Sequence, residues 1–420
     1  MASNSFQPIQ GMSDIAPPDV YIWQMLESRA REVFARYRFE EVRTPVLEKT
    51  SLFTHSLGDT TDVVTKEMYS LQDRGGRNLS LRPEGTAGSV RYIASGAEET
   101  ASARMYYMGP MFRCERPQAG RKRQFHQIGL EAAGAPNPLA DAEVIALQIN
   151  LLSAWGLEGA KIRLNTIGLP EERAAVLEGL REAIRPRLAE LPEDAQQRFE
   201  TNVLRLLDSK DPAVQAVIAD VPSVTELLSD ESRAYLDTVV ETLRGLEIDV
   251  EIDTSLVRGL DYYVHTVWEV VHGGLGAQNA LSGGGRYRIQ IGNKTIDGVG
   301  FAMGVERMIA ALEANGVTAD QFAPKPSVFI ASLGEAALKE NLLLMQTLRQ
   351  RGVACEMELT TRKIKAQMKR ANKIGAATVI IRGDSELENG TFVVKNMEEG
   401  TQQELELPEL MEQLSQPISN

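Results

Sequence analysis

The stretch Phe322-Ala323-Pro324-Lys325-Pro326 divides the sequence into two parts with different rhythms. Neither a helix nor a central strand runs through two such closely spaced prolines, because each lacks an N–H donor and restricts the residue before it. Beyond it, strand-like runs alternate with helical ones: Ser327 to Leu333, a helix to Arg349, Ala354 to Leu359, a helix from Arg362, then Thr378 to Arg382. That βαβαβ order predicts a small α/β domain over 326–420 with a mostly parallel sheet.

Residues 1–325 mix the two element types. Val20 to Arg38 places Val20, Trp23, Leu26, Ala30, Val33 and Phe34 on one face and predicts a helix. Phe39 to Val46 reads as an extended edge ending at Thr44-Pro45, and Met105 to Arg116 and Phe125 to Gly134 read as strands joined by a polar loop. From about 170 to 245 the chain is rich in Glu, Ala, Leu and Arg at helical spacing, which predicts a helical insertion. Val250 to Leu256 returns to strand spacing. Tyr263 to Val271 and Ala280 to Tyr287 predict two strands around a glycine-rich turn, and Gly298 to Gly316 begins glycine-rich and continues as an amphipathic helix.

No run approaches the ~18 apolar residues that a membrane span requires, and Met1 to Gly11 contains no apolar signal core. Neither a membrane protein nor a secreted one is expected. Cys114 and Cys355 are the only cysteines. They are too few for a disulfide framework or a cysteine-rich zinc site, and they fit a reducing cytoplasm. The net charge of −13 argues against nucleic-acid binding by the whole surface. Screening over ~8–10 Å still lets local basic clusters act on their own.

On a strand, Arg113 and Glu115 share one face, as do Gln127, Gly129 and Glu131 on the next. Antiparallel pairing would assemble an arginine, two glutamates and a glutamine into a polar floor suited to a nucleotide or a zwitterion. The intervening loop adds Arg116, Arg121, Lys122 and Arg123, a cluster suited to phosphate. A solvated hairpin of alternating charge is the competing explanation, and the shortage of lysines beside Glu115 and Glu131 weighs against it. A Cys114/His126 nucleophile pair is disfavoured, since Cys114 points away from Arg113 and nothing orients an acid partner.

Glu84, Gly85 and Thr86 follow a predicted strand and open a helical stretch, so their carboxylate and hydroxyl can hold an ammonium group. Read alone, Pro83-Glu84-Gly85-Thr86 is an ordinary helix start. Gly300-Phe301-Ala302-Met303-Gly304-Val305-Glu306-Arg307 combines close backbone approach with an arginine near a helix start. Its spacing is not Gly-x-Gly-x-x-Gly, and no Gly-x-x-x-x-Gly-Lys-Ser/Thr loop exists, so nucleotide binding would rest on arginines.

Together these segments resemble the three motifs of class II aminoacyl-tRNA synthetases. The Thr44-Pro45 edge resembles motif 1, Phe112 to Arg116 with its return strand motif 2, and Gly300 to Arg307 motif 3. Leu256-Val257-Arg258-Gly259-Leu260-Asp261-Tyr262-Tyr263, Ser282-Gly283-Gly284-Gly285-Arg286-Tyr287 and Arg123 to Gly129 are similar to segments peculiar to histidyl-tRNA synthetases. The resemblance covers nearly the whole chain. It implies an α+β catalytic domain over 1–325, an antiparallel sheet flanked by helices, and an anticodon-binding-like domain over 326–420. It also implies a homodimer, with motif 1 in its interface.

By that resemblance the chain is a histidine–tRNA ligase. It would join L-histidine and ATP into histidyl-adenylate, with Mg²⁺ on the phosphates and no metal site from protein spacing, and then load tRNA-His. Arg113 and Arg258 would be catalytic, flanking the α-phosphate. Glu84 and Thr86 would bind the ammonium group; Glu131, Tyr263 and Tyr287, with Gln127 nearby, would surround the imidazole; and Tyr262 would also belong to the histidine site. Glu115 would meet adenine, Arg121 and Arg307 the phosphates, and Arg116 and Gln118 the tRNA acceptor end. Where the family commonly has Asp-Gly-Leu after Gly-Gly-Arg-Tyr, this chain has Arg288-Ile289-Gln290 and a short run to Gly298; Cys114 and His265 also stand where other side chains are more usual.

In the second domain Lys365, Lys369 and Lys373 lie at i, i+4 and i+8, opposite Ile364, Met368 and Ala371. Such a stripe is usually a solvated face. Beside a synthetase-like domain it predicts RNA contact. Three rivals are a synthetase-like regulatory subunit of ATP phosphoribosyltransferase, a class II synthetase for another amino acid, and a pure RNA-binding module. The Arg258–Tyr263 segment and second domain weigh against the first, Glu131 with Tyr263 and Tyr287 against the second, and Arg113 with Arg307 against the third.

Overall fold

The computed structural model describes residues 6–58, 61–96, 103–117, 121–207, 209, 211–258, 260 and 262–415, with backbone alone at 276–278 and 415. The chain forms two units, Met1–Phe322 and Ala323–Asn420.

The strands of the first unit are β1 (Glu40–Glu41), β2 (Leu47–Lys49), β3 (Ser70–Gln72), β4 (Asn78–Leu81), β5 (Arg104–Phe112), β6 (Gln124–Ala133), β7 (Ala160–Thr166), β8 (Val250–Ile252), β9 (Tyr263–His272), β10 (Ala280–Ile291) and β11 (Lys294–Gly304). Eight of them make one sheet in the order β1-β5-β6-β11-β10-β9-β7-β8, antiparallel except at its two edges. β2, β4 and β3 make a small separate sheet.

Strand alternation gives the large sheet two different faces. Ile128 and Leu130 on β6, and Val299, Phe301 and Met303 on β11, are buried in a core shared with helices Val20–Arg36, Pro138–Trp155 and Val305–Ala314. The intervening positions Gln127, Gly129 and Glu131, and Gly300 and Ala302, belong to the opposite face. There helices Thr50–Leu57 and Thr86–Ala94 pack through Phe53, Leu57, Val90 and Ile93 against Tyr263, Tyr287 and Ile289. One side of the sheet is thus sealed by apolar burial, and the other is left for chemistry.

Between Pro170 and Gly245 every regular element is helical. Val176, Leu180, Phe199, Leu206 and Val217 build a core containing no residue of the sheet. Ser223 and Ser229 cap two of these helices, accepting from Glu226 N and Ser232 N.

Some local paths differ from the sequence expectation or refine it. β5 stops at Phe112 rather than running to Arg116, because Cys114 N donates to Glu67 O at 2.6 Å and leaves the ladder. The glycine-rich run Gly298 to Gly304 completes β11 and leads into the expected helix, which begins at Val305 and keeps Arg307 in its first turn. The short run after Tyr287 is a hairpin: Ile291 pairs with Lys294 across the two-residue turn Gly292-Asn293. Gly292 there has φ +62°, as a turn with glycine first requires. Arg288 in this hairpin pairs with Asp297 at 2.8 Å.

The second unit has strands β12 (Val328–Ser332), β13 (Cys355–Met357), β14 (Thr378–Arg382), β15 (Thr391–Asn396) and β16 (Gln402–Glu406), ordered β13-β12-β14-β15-β16. β12 is parallel to β13 and β14, while β15 and β16 extend the sheet antiparallel. The sheet is therefore mixed. Its parallel part is the βαβαβ segment; β15 returns antiparallel to β14 after the short helix Asp384–Asn389, and the turn from Asn396 to Thr401 is too short for a crossover, which makes β15 and β16 antiparallel. β12 is buried on both faces, Val328 and Ile330 in one core and Phe329 and Ala331 in another. Such two-sided burial is characteristic of a parallel central strand.

Candidate active site

The polar face is floored by glycines because bulky side chains lie directly on its backbone. A methyl group at Gly283 would overlap the Arg258 guanidinium and one at Gly300 the Glu131 carboxylate, while on the opposite, apolar face one at Gly284 would overlap the Trp268 indole. At Gly285 it would fall 2.6 Å from the Tyr263 ring, and at Gly298 2.5 Å from that of Tyr287. None of these five glycines has a positive φ. Space, not backbone conformation, demands them.

Above this floor lies an enclosed cavity lined by Glu84, Thr86, Arg113, Gln127, Glu131, Arg258, Tyr262, Tyr263 and Tyr287. Glu84 accepts from Thr86 N at 2.6 Å and Ala87 N at 2.8 Å, so its carboxyl sits at the positive end of helix Thr86–Ala94. Burial nevertheless raises its pKa. Glu131 is 1% exposed. Burial pushes its carboxyl up to about 8, against the Thr86 hydroxyl, with Glu84 adding to the rise. Glu131 Oε2, Tyr287 Oη and Gln127 Oε1 are buried without a hydrogen-bond partner. Buried groups of this kind are costly to leave unsatisfied, so they are available to bond a molecule that enters the cavity.

A more open cavity adjoins it, and Arg113, Gln127, Arg258, Gly283 and Ala302 line both. Its other walls include Glu115, Arg121, Lys122, Phe125, Glu269, Glu306 and Arg307. Arg113 Nε donates to Pro83 O at 3.0 Å, and its guanidinium lies 5.3 Å from the centre of the Phe125 ring. Arg307 Nη1 donates to Ala280 O at 2.7 Å. Burial pushes the Arg307 pKa down, and the positive charges of Arg121 and Arg113 push the same way. Like charges held this close favour a polyanion between them. Arg258 Nη1 donates to Glu269 Oε1 at 3.1 Å.

All of the residues expected at the amino acid and nucleotide sites therefore line these two cavities. Arg113 and Glu115 do so from the irregular segment after β5, not from a strand. Arg116 is exposed and Gln118 lies outside the described residues, as do Gly259 and Asp261. Lys365, Lys369 and Lys373 are exposed on helix Ile364–Lys373 of the second unit, opposite buried Ala371. Among the described residues, no three His, Cys, Asp or Glu side chains group to hold a metal.

Two residues at the site were given no role by the sequence. Tyr107 pairs with Gly129 and lies across both Gly85 and Gly129, its buried hydroxyl within electrostatic reach of Glu84 and Glu131. Strand parity on β5 was the signal for it. Glu306 accepts from His126 N at 3.0 Å and ties β6 to the helix after β11. Arg286, within the glycine motif, is not in the cavity: it forms a buried ion pair with Asp141, Nε to Oδ1 at 2.8 Å.

A sequence model described as histidyl-tRNA synthetase matches residues 11–308, and one described as anticodon binding domain matches residues 327–416. A histidine–tRNA ligase of Synechococcus elongatus is 44% identical over 415 residues, covering 97% of this chain and 94% of that protein. The apo crystal structure of the S. aureus histidyl-tRNA synthetase superposes with a TM-score of 0.82 at 34% identity, covering 98% of this chain and all of that one. An ATP phosphoribosyltransferase regulatory subunit/histidyl-tRNA synthetase from Bacillus halodurans is alike in fold, with a TM-score of 0.65 at 20% identity.

Proposed function

Since the chain belongs to the histidyl-tRNA synthetase family and its reaction is that of a histidine–tRNA ligase, we propose that its two adjoining cavities divide the activation step between histidine and ATP. The observation that carries this reading is the buried Glu131 carboxyl, its Oε2 without a hydrogen-bond partner, in a cavity that opens onto Arg113, Arg121 and Arg307.

The enclosed cavity takes histidine. Glu131, Tyr262, Tyr263 and Tyr287 surround the imidazole, with Gln127 at its edge, and Glu84 and Thr86 hold the ammonium group. A carboxyl titrating near 8 suits a ring that itself titrates near ~6.5, because one proton between them is bonded from both sides. An apolar amino acid would leave Glu131, Tyr287 and Gln127 unpaired, and such sites reject their competitors strongly.

The open cavity takes ATP, with Glu115 at adenine and Arg121 and Arg307 on the outer phosphates. Arg113 and Arg258 line both cavities and so stand where carboxylate and α-phosphate meet. Attack joins two anions, and the need is for positive charge at phosphorus as the pyrophosphate bond breaks. The carboxylate is already a nucleophile, so no general base is required. Mg²⁺ arrives with ATP as part of the substrate and supplies further positive charge to its phosphates.

In the second step the terminal ribose hydroxyl of tRNA-His takes the histidyl group and AMP departs. Arg116 and Gln118 are assigned to the acceptor end, and Lys365, Lys369 and Lys373 to tRNA contact by the second unit. We further propose a cytoplasmic homodimer. Exposed Val46, Leu47 and Leu71 near and on the small β2-β4-β3 sheet support the dimer, and two free cysteines support the compartment. No helix of the described residues is long and apolar enough to cross a membrane.

ATP–pyrophosphate exchange with each standard amino acid tests the reading. Exchange with histidine alone is expected; exchange with another amino acid, or with none, overturns it.

A further inference from the structure

Among the described residues, the nucleotide cavity receives one wall residue from the helical insertion. Arg205, on the helix Leu204–Leu207, lines it beside Asp62, Glu67, Arg113 and Arg121. The neighbouring Leu206 is fully buried in the insertion's own core, so Arg205 is fixed to that body while its head group reaches out of it. Arg205 Nη1 meets Asp62 Oδ2 at 2.7 Å, across 143 residues of sequence. The Arg205 hydrogen bond leads the influences that hold the Asp62 carboxyl below its ordinary range; burial opposes it and Lys66, at 3.3 Å, assists.

Asp62 immediately precedes the single helical turn Val63–Glu67. At the far end of that turn, Glu67 O accepts from Cys114 N at 2.6 Å. Cys114 stands between Arg113 and Glu115, and its bond to Glu67 is what draws this segment out of the sheet. Arg205, Asp62, the Val63–Glu67 turn and Cys114 thus form one continuous connection from the insertion to the two residues assigned to the α-phosphate and adenine.

We propose that Arg205 is a positioning residue for ATP, acting through Asp62 to hold the Val63–Glu67 turn and the Arg113–Glu115 segment in register with the nucleotide. The inference rests on the reading of this cavity as the ATP site. Exchange by the unaltered protein tests that reading separately, since it can succeed whatever the variants do. The insertion is then more than an appendage: its seating sets the shape of the nucleotide wall, while the histidine cavity, which Arg205 does not line, is left alone.

The test is ATP–pyrophosphate exchange by the full chain, comparing Arg205→Ala, Asp62→Asn and the double variant. Arg205→Ala is expected to raise KM for ATP about fivefold, the scale of a partly exposed ion pair. Changes in kcat and in KM for histidine should stay within about twofold by the same scale. Asp62→Asn should match it, and the double variant should be no worse than either, because both break one link. An unchanged KM for ATP in Arg205→Ala overturns the proposal. So do additive effects, which would mean that Arg205 touches phosphate directly, and so does an equal loss of histidine affinity. Should Arg205→Ala melt the insertion, as a thermal scan would show, Asp62→Asn alone decides by the same KM criterion.

Discussion

Arg258 occupies the space that a side chain at Gly283 would need, while its Nη1 donates to Glu269 at 3.1 Å. The guanidinium is thereby fixed between a bare strand and a carboxylate at the junction of the two cavities. Arg258→Ala should lower pyrophosphate exchange by about a hundredfold to a thousandfold, the usual range for losing one transition-state charge partner. Histidine binding, measured by calorimetry, should largely persist. Loss of histidine binding as the only defect would show that Arg258 serves recognition and not phosphate chemistry.

The same packing makes Gly283→Ala informative. Its added methyl group must displace Arg258 without removing any charge. Exchange should fall about tenfold or more with folding retained, since small displacements of a catalytic group are costly. Activity equal to that of the unaltered protein would mean that the arginine does not need this seat.

Glu131 links the pocket to pH. In the unfolded chain a glutamate titrates near ~4.3, whereas in the folded protein burial holds it at about 8. Between those values the folded state carries the extra proton, so stability falls as pH rises, by about 1.4 kcal/mol per pH unit. The contribution is fully present below the unfolded value and is lost as pH passes through the folded one. Urea unfolding of the histidine-free protein from pH 5 to 8 should show this slope, and Glu131→Gln should remove it. Parallel profiles for the two proteins would refute the assignment.

The Asp141–Arg286 pair is buried almost completely, and Tyr235 of the insertion donates to Asp141 Oδ2 at 3.1 Å. Removing one partner leaves the other charge buried and unpaired, so Asp141→Ala should cost about 3–5 kcal/mol in denaturant unfolding. A cost below about 1 kcal/mol, the range of an exposed pair, would contradict the burial.

Replacing Lys365, Lys369 and Lys373 together by alanine should leave pyrophosphate exchange unchanged, because no tRNA takes part in it. Aminoacylation should show a raised KM for tRNA and a salt dependence shallower by about 0.7–0.9 for each phosphate that is no longer neutralised. An unaltered salt slope would assign the stripe to solvent.

What could be read from the sequence was what repeats locally. The period of two placed Gln127, Gly129 and Glu131 on one face, because successive strand side chains must alternate. The same rule, applied too far, ran β5 on to Arg116. A single backbone bond from Cys114 to Glu67 ends that ladder, and no pattern in the sequence announces it. The glycines at 283, 284 and 285 were visible, yet their reason was not, since it lies in Arg258, Trp268 and Tyr263 brought in from β9 and the segment before it.

The sequence by itself determined the division near residue 325, the helical insertion, the polar face of β6, and the arginines and tyrosines available for the site, all set by residue type and short-range spacing. Only the tertiary structure decided which of them meet. β6 pairs with β11, and β11 with β10. That order sets Glu131 opposite Gly300 and Tyr287 opposite Gly298 in one cavity. Strand pairing and the Arg205–Asp62 link join residues far apart in the chain, and their energies depend on burial and distance, which a linear order of residues does not contain.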